Sequence, residues 1–216
     1  MEIESKVQFN ESQIDSIMDT IETNFSKYYV SEFIKKSDSM YTDLPDEDVK
    51  SAAKTGGKVV RIRLTQKLPK SSVKTIFKDT ENTKDRYNGI RTGTWFTCKQ
   101  KQIKDNYENN EEHETIIDDP KEMDACLNIM GYHCWFNKTK FAYGMTIPVN
   151  NIKYHVEIER VVNETNGKSV LFVEIENTEN EKASIDEIQE GIDTIFTLIG
   201  LDPNSADARP WFEILK

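Results

Sequence analysis

Seven stretches of the chain alternate between apolar and polar residues, which is the pattern of a β-strand that buries one face. In one of them Val60, Ile62 and Leu64 alternate with Arg61 and Arg63. The predicted strands are Met1–Phe9, Lys58–Gln66, Gly93–Lys101, Glu112–Ile117, Asn137–Ile147, Lys153–Val162 and Lys168–Asn177.

Three segments instead repeat apolar residues every three or four positions, as an amphipathic helix does. The first, Ser12 to Lys35, is predicted to form one helix or two. The second begins after Pro120 and ends at Gly131, and the third covers Ser184 to Ile199. Many strands with few helices predict the α+β class, with a mainly antiparallel sheet.

Two polar segments, Ser37–Gly57 and Lys101–Asn110, have neither pattern and are predicted to be loops. The chain of 216 residues has no internal repeat and no linker rich in Pro, Gly or Ser. We therefore expect residues 1–216 to form a single domain.

The net charge argues against one broad class of function. With 28 Lys and Arg against 38 Asp and Glu the formal charge is −10, whereas a general nucleic-acid binder presents a basic face to the phosphate backbone. A local basic pocket is compatible with this charge. No apolar run is long enough for a membrane span, no secretory signal is visible, and the three cysteines form no metal-binding pattern. These features predict a cytoplasmic protein with no membrane partner.

The polar faces of six predicted strands carry pairs of like charge. Residues two positions apart on a strand project from the same face, about 6.6–7 Å from each other. The acidic pairs are Glu2 with Glu4, Glu157 with Glu159 and Glu174 with Glu176, and the basic pairs are Arg61 with Arg63, Lys99 with Lys101 and Lys138 with Lys140. Either these faces point to solvent, as charged faces usually do, or they line the inside of a closed sheet.

A closed sheet lined in this way has a definite chemistry. Gathered carboxylates repel one another unless a cation lies between them, and their oxygens are the ligands that Mg²⁺ and Mn²⁺ prefer. Arg and Lys side chains bind phosphate oxygens through charge-assisted hydrogen bonds. Acidic and basic residues in one cavity therefore indicate metal-dependent phosphoryl chemistry.

The order of these residues along the chain resembles the CYTH superfamily of triphosphate tunnel enzymes. Near the amino terminus, Glu2, Glu4 and Lys6 match its Glu-x-Glu-x-Lys signature. The later matches, in chain order, are Tyr41 and Asp43, Arg61 and Arg63, Lys99, Lys138 and Lys140, Phe172 to Glu176, and the closing segment Trp211 to Lys216. Two positions depart from the family's usual pattern, since Glu159 stands in place of Asp and Lys140 in place of Arg.

The resemblance implies an eight-stranded antiparallel β-barrel that forms a tunnel, with helices packed outside. It implies a site for Mg²⁺ or Mn²⁺ made of Glu2, Glu4, Glu159, Glu174 and Glu176. It implies phosphate binding by Lys6, Arg61, Arg63, Lys99, Lys138 and Lys140. The catalytic set implied in the same way is Glu4, Glu159, Glu176 and Lys6.

Within this family we expect a metal-dependent hydrolase that removes the terminal phosphate of a nucleotide, thiamine triphosphate or tripolyphosphate. One alternative is a nucleotide cyclase of the class IV adenylyl cyclase type, which would use the same tunnel and release pyrophosphate. Another is a protein that binds triphosphorylated ligands, such as nucleotides or RNA 5′ ends, without turnover. The sequence leaves open the organic group, the number of metal ions and the oligomeric state, with a homodimer among the alternatives.

A few other residues give weaker evidence of a functional role. Glu112 and Glu114 could form a further inward pair, and His155 is in phase with Glu157. These residues could equally lie on a solvated strand edge. The tryptophans Trp95, Trp135 and Trp211 are interpreted as anchors of the core rather than as stacking platforms.

Overall fold

The computed structural model describes residues 2–25, 32–52, 57–78, 87, 89–104, 107–177 and 183–216. Its strands are β1 Glu2–Phe9, β2 Glu32–Thr42, β3 Gly57–Lys67, β4 Ile90–Lys104, β5 Tyr107–Ile116, β6 His133–Val149, β7 Ile152–Asn163 and β8 Ser169–Asn177. They form a closed antiparallel barrel in the order β1-β5-β4-β3-β2-β6-β7-β8. The predicted α+β class and the eight-stranded barrel are therefore confirmed.

Most helices of the described residues pack on the outside of the barrel, whereas the last one contributes side chains to its cavity. The helices are α1 Ile14–Phe25, α2 Asp46–Ala52, α3 Val73–Lys78, α4 Pro120–Ile129, α5 Ile185–Leu198 and α6 Trp211–Ile214. Apolar residues of α1, α3 and α5 join those of the strands in one large core, and α4 covers a smaller cluster. None of the helices in these described ranges is long and apolar enough to cross a bilayer.

Strand β8 shows how the sequence produces this arrangement. Val173 and Ile175 are fully buried in the core, whereas Glu174 and Glu176 project from the opposite face into the barrel. A strand that is apolar on one face alone must turn that face towards the helices, which leaves its charged face to line the interior. The apolar core therefore surrounds the barrel, and the interior of the barrel is polar.

Helices α4 and α5 begin and end close to where the sequence predicts. Asp119 accepts backbone hydrogen bonds at the start of α4, and Ser184 forms a capping box with Glu187 at the start of α5. Gly131 and Gly200 follow the two helices with φ angles of 88° and 81°, a left-handed conformation that favours glycine.

Strand β2 was not predicted, and it replaces parts of two predicted elements. Its residues include the end of the predicted helix Ser12 to Lys35 and the start of the predicted loop Ser37–Gly57, so both predictions are wrong there. Helix α2 replaces a further part of that loop. Residues 26–31 and 53–56 of these two segments lie outside the described residues.

Polar residues on both faces of β2 explain why the strand was missed. Lys36 and Asp38 lie on the inward face, while Ser37 and Ser39 lie on the outward face, so apolar and polar residues do not alternate there. The strand is instead fixed by pairing with β3 on one side and β6 on the other.

The predicted loop Lys101–Asn110 is also wrong, because β4 continues to Lys104 and β5 begins at Tyr107. This segment is the end of the hairpin of β4 and β5, where both strands carry polar residues on both faces, and residues 105–106 lie outside the described residues. Helices α2 and α3 were missed because each spans about two turns or fewer, too short for a helical period to show.

The close approach of α5 to the barrel wall gives a first prediction. A Cβ atom at Gly191 would lie 1.9 Å from the Tyr154 hydroxyl oxygen on β7, so Gly191→Ala must push the helix and the strand apart. We expect this substitution to reduce the free energy of unfolding by about 1–3 kcal/mol, measured by urea denaturation. Thr194→Ala, on the exposed side of the same helix, is the control and should stay within about 0.5 kcal/mol of wild type. Equal midpoints for Gly191→Ala and wild type would contradict the described packing.

Candidate active site

The barrel contains a cavity of about 630 Å³ that is lined by charged side chains from all eight strands. Its acidic residues are Glu2, Glu4, Asp43, Glu112, Glu114, Glu157, Glu174 and Glu176, and its basic residues are Lys36, Lys58, Arg61, Arg63, Lys99, Lys101, Lys138 and Lys140. The acidic and basic residues selected from the sequence thus face a shared interior space. Two of them, Lys6 and Glu159, are buried beside the cavity and do not contribute to its lining.

Glu2, Glu4 and Glu176 form a first carboxylate group where β1 meets β8. Each offers one oxygen, and the three oxygens lie within 4.8 Å of one another. Glu4 and Glu176 are direct partners in the strand register, and Glu2 is two positions before Glu4 on the same face. The Lys99 ammonium lies 3.1 Å from Glu2 and 2.9 Å from Glu4. Burial, followed by the charge of Glu4, raises the pKa of Glu2 to about 11, so this group is short of positive charge.

Glu157, Glu159 and Glu174 form a second carboxylate group, also with oxygens within 4.8 Å of one another. The Lys140 ammonium lies 2.7 Å from Glu159 and 3.1 Å from Glu174, and Lys36 lies 2.6 Å from one oxygen of Glu157. Burial opposes ionisation of Glu157, but Lys36, His155 and Lys140 together outweigh it and hold the pKa well below its usual value. Burial and the charge of Glu174 raise the pKa of Glu159 well above its usual value.

Asp38 on β2 organises the cations on the facing wall. Its two oxygens accept hydrogen bonds from the Arg63 guanidinium at 2.7 and 2.9 Å, a bidentate pair, and one of them also accepts from Lys138. Burial opposes the charge of Asp38, but Arg63 and Lys138 outweigh it and hold the pKa well below its usual value. Burial lowers the pKa of Lys138 to about 7. Asp38 thus fixes two of the cations selected from the sequence.

Asp38 was missed because β2 was not recognised as a strand. Its sequence signal is the spacing of two residues from Lys36, which places both side chains on the inward face. Lys36 lines the cavity, and Asp38 contacts Arg63 and Lys138, which also line it. Lys36 itself was missed for the same reason. Glu157 is the sequence neighbour of Glu159 on one face but is not in the predicted metal set, although it lines the cavity.

Strand β5 supplies two carboxylates that form ion pairs with Arg61. The Arg61 guanidinium lies 3.3 Å from Glu112 and 3.0 Å from Glu114, and it also donates to the Thr97 hydroxyl. Burial opposes ionisation of Glu112, but Lys99 and Arg61 outweigh it and lower the pKa to about 2. Glu112 and Glu114 therefore form the inward pair that the sequence leaves open, rather than a solvated edge.

Lys6 lies behind the first carboxylate group. Its ammonium is buried, 3.3 Å from Glu108 and 5.5 Å from the centre of the Trp211 ring. Glu108, on β5, also pairs with Lys101 and was not selected from the sequence, because it fell in the segment predicted to be a loop. Lys6 is therefore placed to support neighbouring side chains, with its charge already balanced.

Two tryptophans contribute to the cavity, so their interpretation as core anchors is wrong. Trp135 and Trp211 both line it. The Trp211 ring lies 4.9 Å from the Lys140 ammonium and 5.9 Å from that of Lys138, which are cation–π distances. His155 does not line the cavity, and its Nε2 lies 3.1 Å from Glu157.

The residues present fit a hard divalent cation. Both carboxylate groups offer oxygen donors alone, which suits Mg²⁺ or Mn²⁺. Glu159 is fully buried, and its Oε2 accepts no hydrogen bond from any of the described residues. A buried oxygen left without a donor is costly unless another positive partner approaches it. The donor set and this oxygen therefore both favour a bound cation.

No family model and no curated protein matches the sequence. The structure is similar to that of PH1819 protein from Pyrococcus horikoshii OT3, with 18% identity, a TM-score of 0.65 and coverage of 99% of this chain and 97% of that chain. PH1012 protein from the same organism gives 20% identity, a TM-score of 0.64 and 100% coverage of both chains. A protein from Vibrio parahaemolyticus described as a "putative adenylate cyclase" gives 16% identity, a TM-score of 0.60 and coverage of 99% and 96%.

The closed eight-stranded barrel that the resemblance implies is confirmed, and this chain shares its fold with the three proteins named above. At these identities the comparisons establish the fold alone. What this chain does chemically depends on the residues of its own cavity.

The cluster around Asp38 predicts a pH-dependent loss of stability. Asp38→Asn leaves Arg63 and Lys138 without their counter-charge, and we expect it to reduce the free energy of unfolding at pH 7 by about 2–4 kcal/mol. Because the folded-state pKa of Asp38 is depressed, its stabilisation is present above about pH 4–5 and is lost as the pH falls further. The difference between variant and wild type should therefore shrink at low pH.

Denaturant unfolding at pH 7 and at pH 3.5 measures the difference in the free energy of unfolding between Asp38→Asn and wild type at each pH. Asp43→Asn is the control, since Asp43 is exposed and pairs with an exposed Lys58. An Asp38→Asn variant as stable as wild type at pH 7 would show that Asp38 does not hold the cations in place.

Proposed function

We propose that this protein is a divalent-metal-dependent enzyme that binds a triphosphate inside the barrel and hydrolyses its terminal phosphate. One observation carries the proposal: two groups of three carboxylates and several buried cations face the same cavity or border it directly. A structural sheet has no need of this arrangement, because enclosing like charges is unfavourable. A phosphate chain with its metal ion supplies the missing charges of both signs.

Glu2, Glu4 and Glu176 would hold Mg²⁺ or Mn²⁺, and Glu174 and Glu159 would extend the site. When bound, the metal ion would neutralise phosphate oxygens and make a coordinated water more acidic. Burial raises the pKa of Glu176 in the absence of a cation, so a metal ion beside it would favour its charged, ligating form. These roles follow from the donor atoms and from their shared position.

Arg63, Lys138 and Lys140 would bind the phosphate oxygens, together with Arg61 and Lys99. Because Asp38 already fixes Arg63 and Lys138, these donors need little rearrangement when a phosphate arrives. The charge that develops on the leaving phosphate would be stabilised by donors already in position. An anionic phosphate beside Lys138 would also favour its charged form, opposing the effect of burial.

Glu159 and Lys6 receive positioning roles in this proposal. Glu159 holds the Lys140 ammonium at 2.7 Å, and Lys6 is held between Glu108 and the Trp211 ring. Lys6 does not line the main cavity and would act through a neighbour, whereas the Oε2 of Glu159, which accepts no hydrogen bond from the described residues, lets Glu159 extend the metal site as well. The catalytic roles that the family resemblance implies for them remain a prediction.

The charge of the carboxylate group provides a direct test. Glu4→Gln and Glu176→Gln should each lower kcat at least about 100-fold, because a neutral amide cannot replace the charged metal ligand. Their thermal stability should be equal to or higher than that of wild type, since each removes one of several crowded carboxylates. Turnover with tripolyphosphate or ATP and Mn²⁺, together with the melting temperature, measures both. Glu190→Gln, on the exposed face of α5, is the matched control.

Turnover close to wild type in Glu4→Gln or Glu176→Gln would remove that residue from the mechanism. A variant that is inactive and also unfolded would say nothing about metal binding. In that case, calorimetric titration of the wild-type protein with Mn²⁺ tests the metal site. A wild-type protein that binds no Mn²⁺ would overturn the proposed site.

The reaction products identify the chemistry. With ATP and Mg²⁺ or Mn²⁺ we expect orthophosphate and ADP, because the terminal phosphate would face the carboxylate groups. The product mixture is resolved by chromatography and by phosphate detection. Cyclic nucleotide with pyrophosphate would show a cyclase instead, the activity named for the similar Vibrio protein. Tight binding without any product at any metal concentration would show a non-catalytic binder.

A further inference from the structure

Towards one end of the cavity the inward residues of β2 and β6 change from charged to apolar, and an exposed ion pair of Asp43 with Lys58 also lines the cavity. Along β2 the inward residues are Lys36, Asp38 and then Met40, and along β6 they are Lys140, Lys138 and then Phe136. The register pairs them as successive layers: Lys36 with Lys140, Asp38 with Lys138, and Met40 with Phe136. The layers are about 6.6–7 Å apart, at twice the strand rise. An apolar layer therefore lies next to the layer of Asp38 and Lys138.

A β-bulge adds a tryptophan to this apolar layer. Met40 pairs with Phe136, while the next residue of β2, Tyr41, pairs with Cys134, so Trp135 is an extra residue of β6. A bulge turns a side chain away from the direction that strict alternation would give it. Trp135 lines the cavity, with its ring centre 5.6 Å from that of Phe136 and 5.2 Å from that of Phe212. The local fold thus directs an additional aromatic ring to this end.

This end is not sealed like a protein core. Met40, Trp135 and Phe136 are each partly exposed to the cavity, and the neighbouring Leu44 is 38% exposed. Apolar side chains left accessible inside a polar cavity gain stability once a ligand covers them. An inorganic chain of phosphates offers no apolar surface to cover them. A flat organic ring does, and stacking of a ring on an aromatic side chain contributes about 1–3 kcal/mol.

We infer that the substrate is an organic triphosphate whose organic end carries a flat aromatic ring, bound against Trp135, Phe136 and Met40. This inference rests on the proposed function, since it places the phosphate chain in the same cavity. The phosphates extend from the Lys138 layer to the Lys140 layer, and the terminal phosphate faces the two carboxylate groups. The cavity volume of about 630 Å³ is in the range of sites that bind organic ligands. A nucleoside triphosphate and thiamine triphosphate share this chemistry.

The test compares substrates that differ at the organic end. We expect wild type to have a kcat/KM at least about 10-fold higher for ATP or thiamine triphosphate than for inorganic tripolyphosphate. Comparison of these two organic triphosphates then distinguishes a nucleotide from thiamine. Trp135→Leu, which keeps an apolar side chain but removes the flat ring, should lower the ratio of organic to inorganic kcat/KM about 10-fold. Trp135→Phe, which keeps a flat ring, should retain most of that ratio.

Ile129→Ala, at the exposed end of α4, controls for general effects of substitution and should leave the ratio at its wild-type value. A wild-type enzyme that hydrolyses tripolyphosphate as efficiently as every organic triphosphate would overturn the inference while the proposed function stands. An unchanged ratio in Trp135→Leu would also overturn it, since the aromatic layer would then only close the end of the barrel.

Binding measurements test the inference independently of the proposed hydrolysis. If no substrate is turned over, the proposed hydrolysis fails, but calorimetry with tripolyphosphate and with a non-hydrolysable ATP analogue still tests the aromatic end. Tighter binding of the analogue, weakened about 10-fold in Trp135→Leu, would support the inference. Equal affinities for the two ligands would contradict it.

Discussion

The structure depends on the enclosure of charged side chains inside a closed sheet. Charges removed from bulk water are unfavourable unless each finds a partner, and the barrel meets this requirement with ion pairs across its interior. Asp38 is held between Arg63 and Lys138, and Glu159 is held by Lys140. Because the interior is occupied by charges, the apolar faces of the strands must turn outward. The helices around the barrel are therefore needed to complete the core.

Negative and positive charges are not evenly balanced inside the barrel, and we infer that the substrate binds where the balance is uneven. The wall around Asp38 has more positive than negative charge, whereas Glu2 and Glu4, which lie beside Glu176, share the Lys99 ammonium. A triphosphate with its metal ion has the complementary distribution, with negative oxygens for the first region and a cation for the second. Ligand and protein would therefore each supply the charges that the other lacks, in a space partly closed to water.

The sequence predicts the parts of this site that follow from strand period. A side chain two positions from another on a strand must share its face, so pairs such as Glu174 with Glu176 are assigned to one surface by their spacing alone. The same rule failed at β2, where Ser37 and Ser39 make the outward face polar and remove the alternation. Asp38 was missed with that strand, although it is the partner of two selected cations.

Contacts across the barrel could not be predicted in this way. Asp38 and Lys138 are 100 residues apart in the sequence, and their contact depends on the register between β2 and β6, which is set when the barrel closes. The direction of Trp135 depends on a single bulge in the same pair of strands. The ends of α4 and α5 were easier to predict, because the residues that cap each helix are its neighbours in the sequence.

A crystal structure of the protein with Mn²⁺ and a non-hydrolysable triphosphate analogue would test the central claim most directly. The account predicts anomalous scattering from Mn²⁺ at the carboxylates of Glu2, Glu4 and Glu176, with phosphate oxygens in hydrogen-bonding contact with Arg63 and Lys138. Density for the analogue outside the barrel, with no Mn²⁺ at those carboxylates, would contradict it.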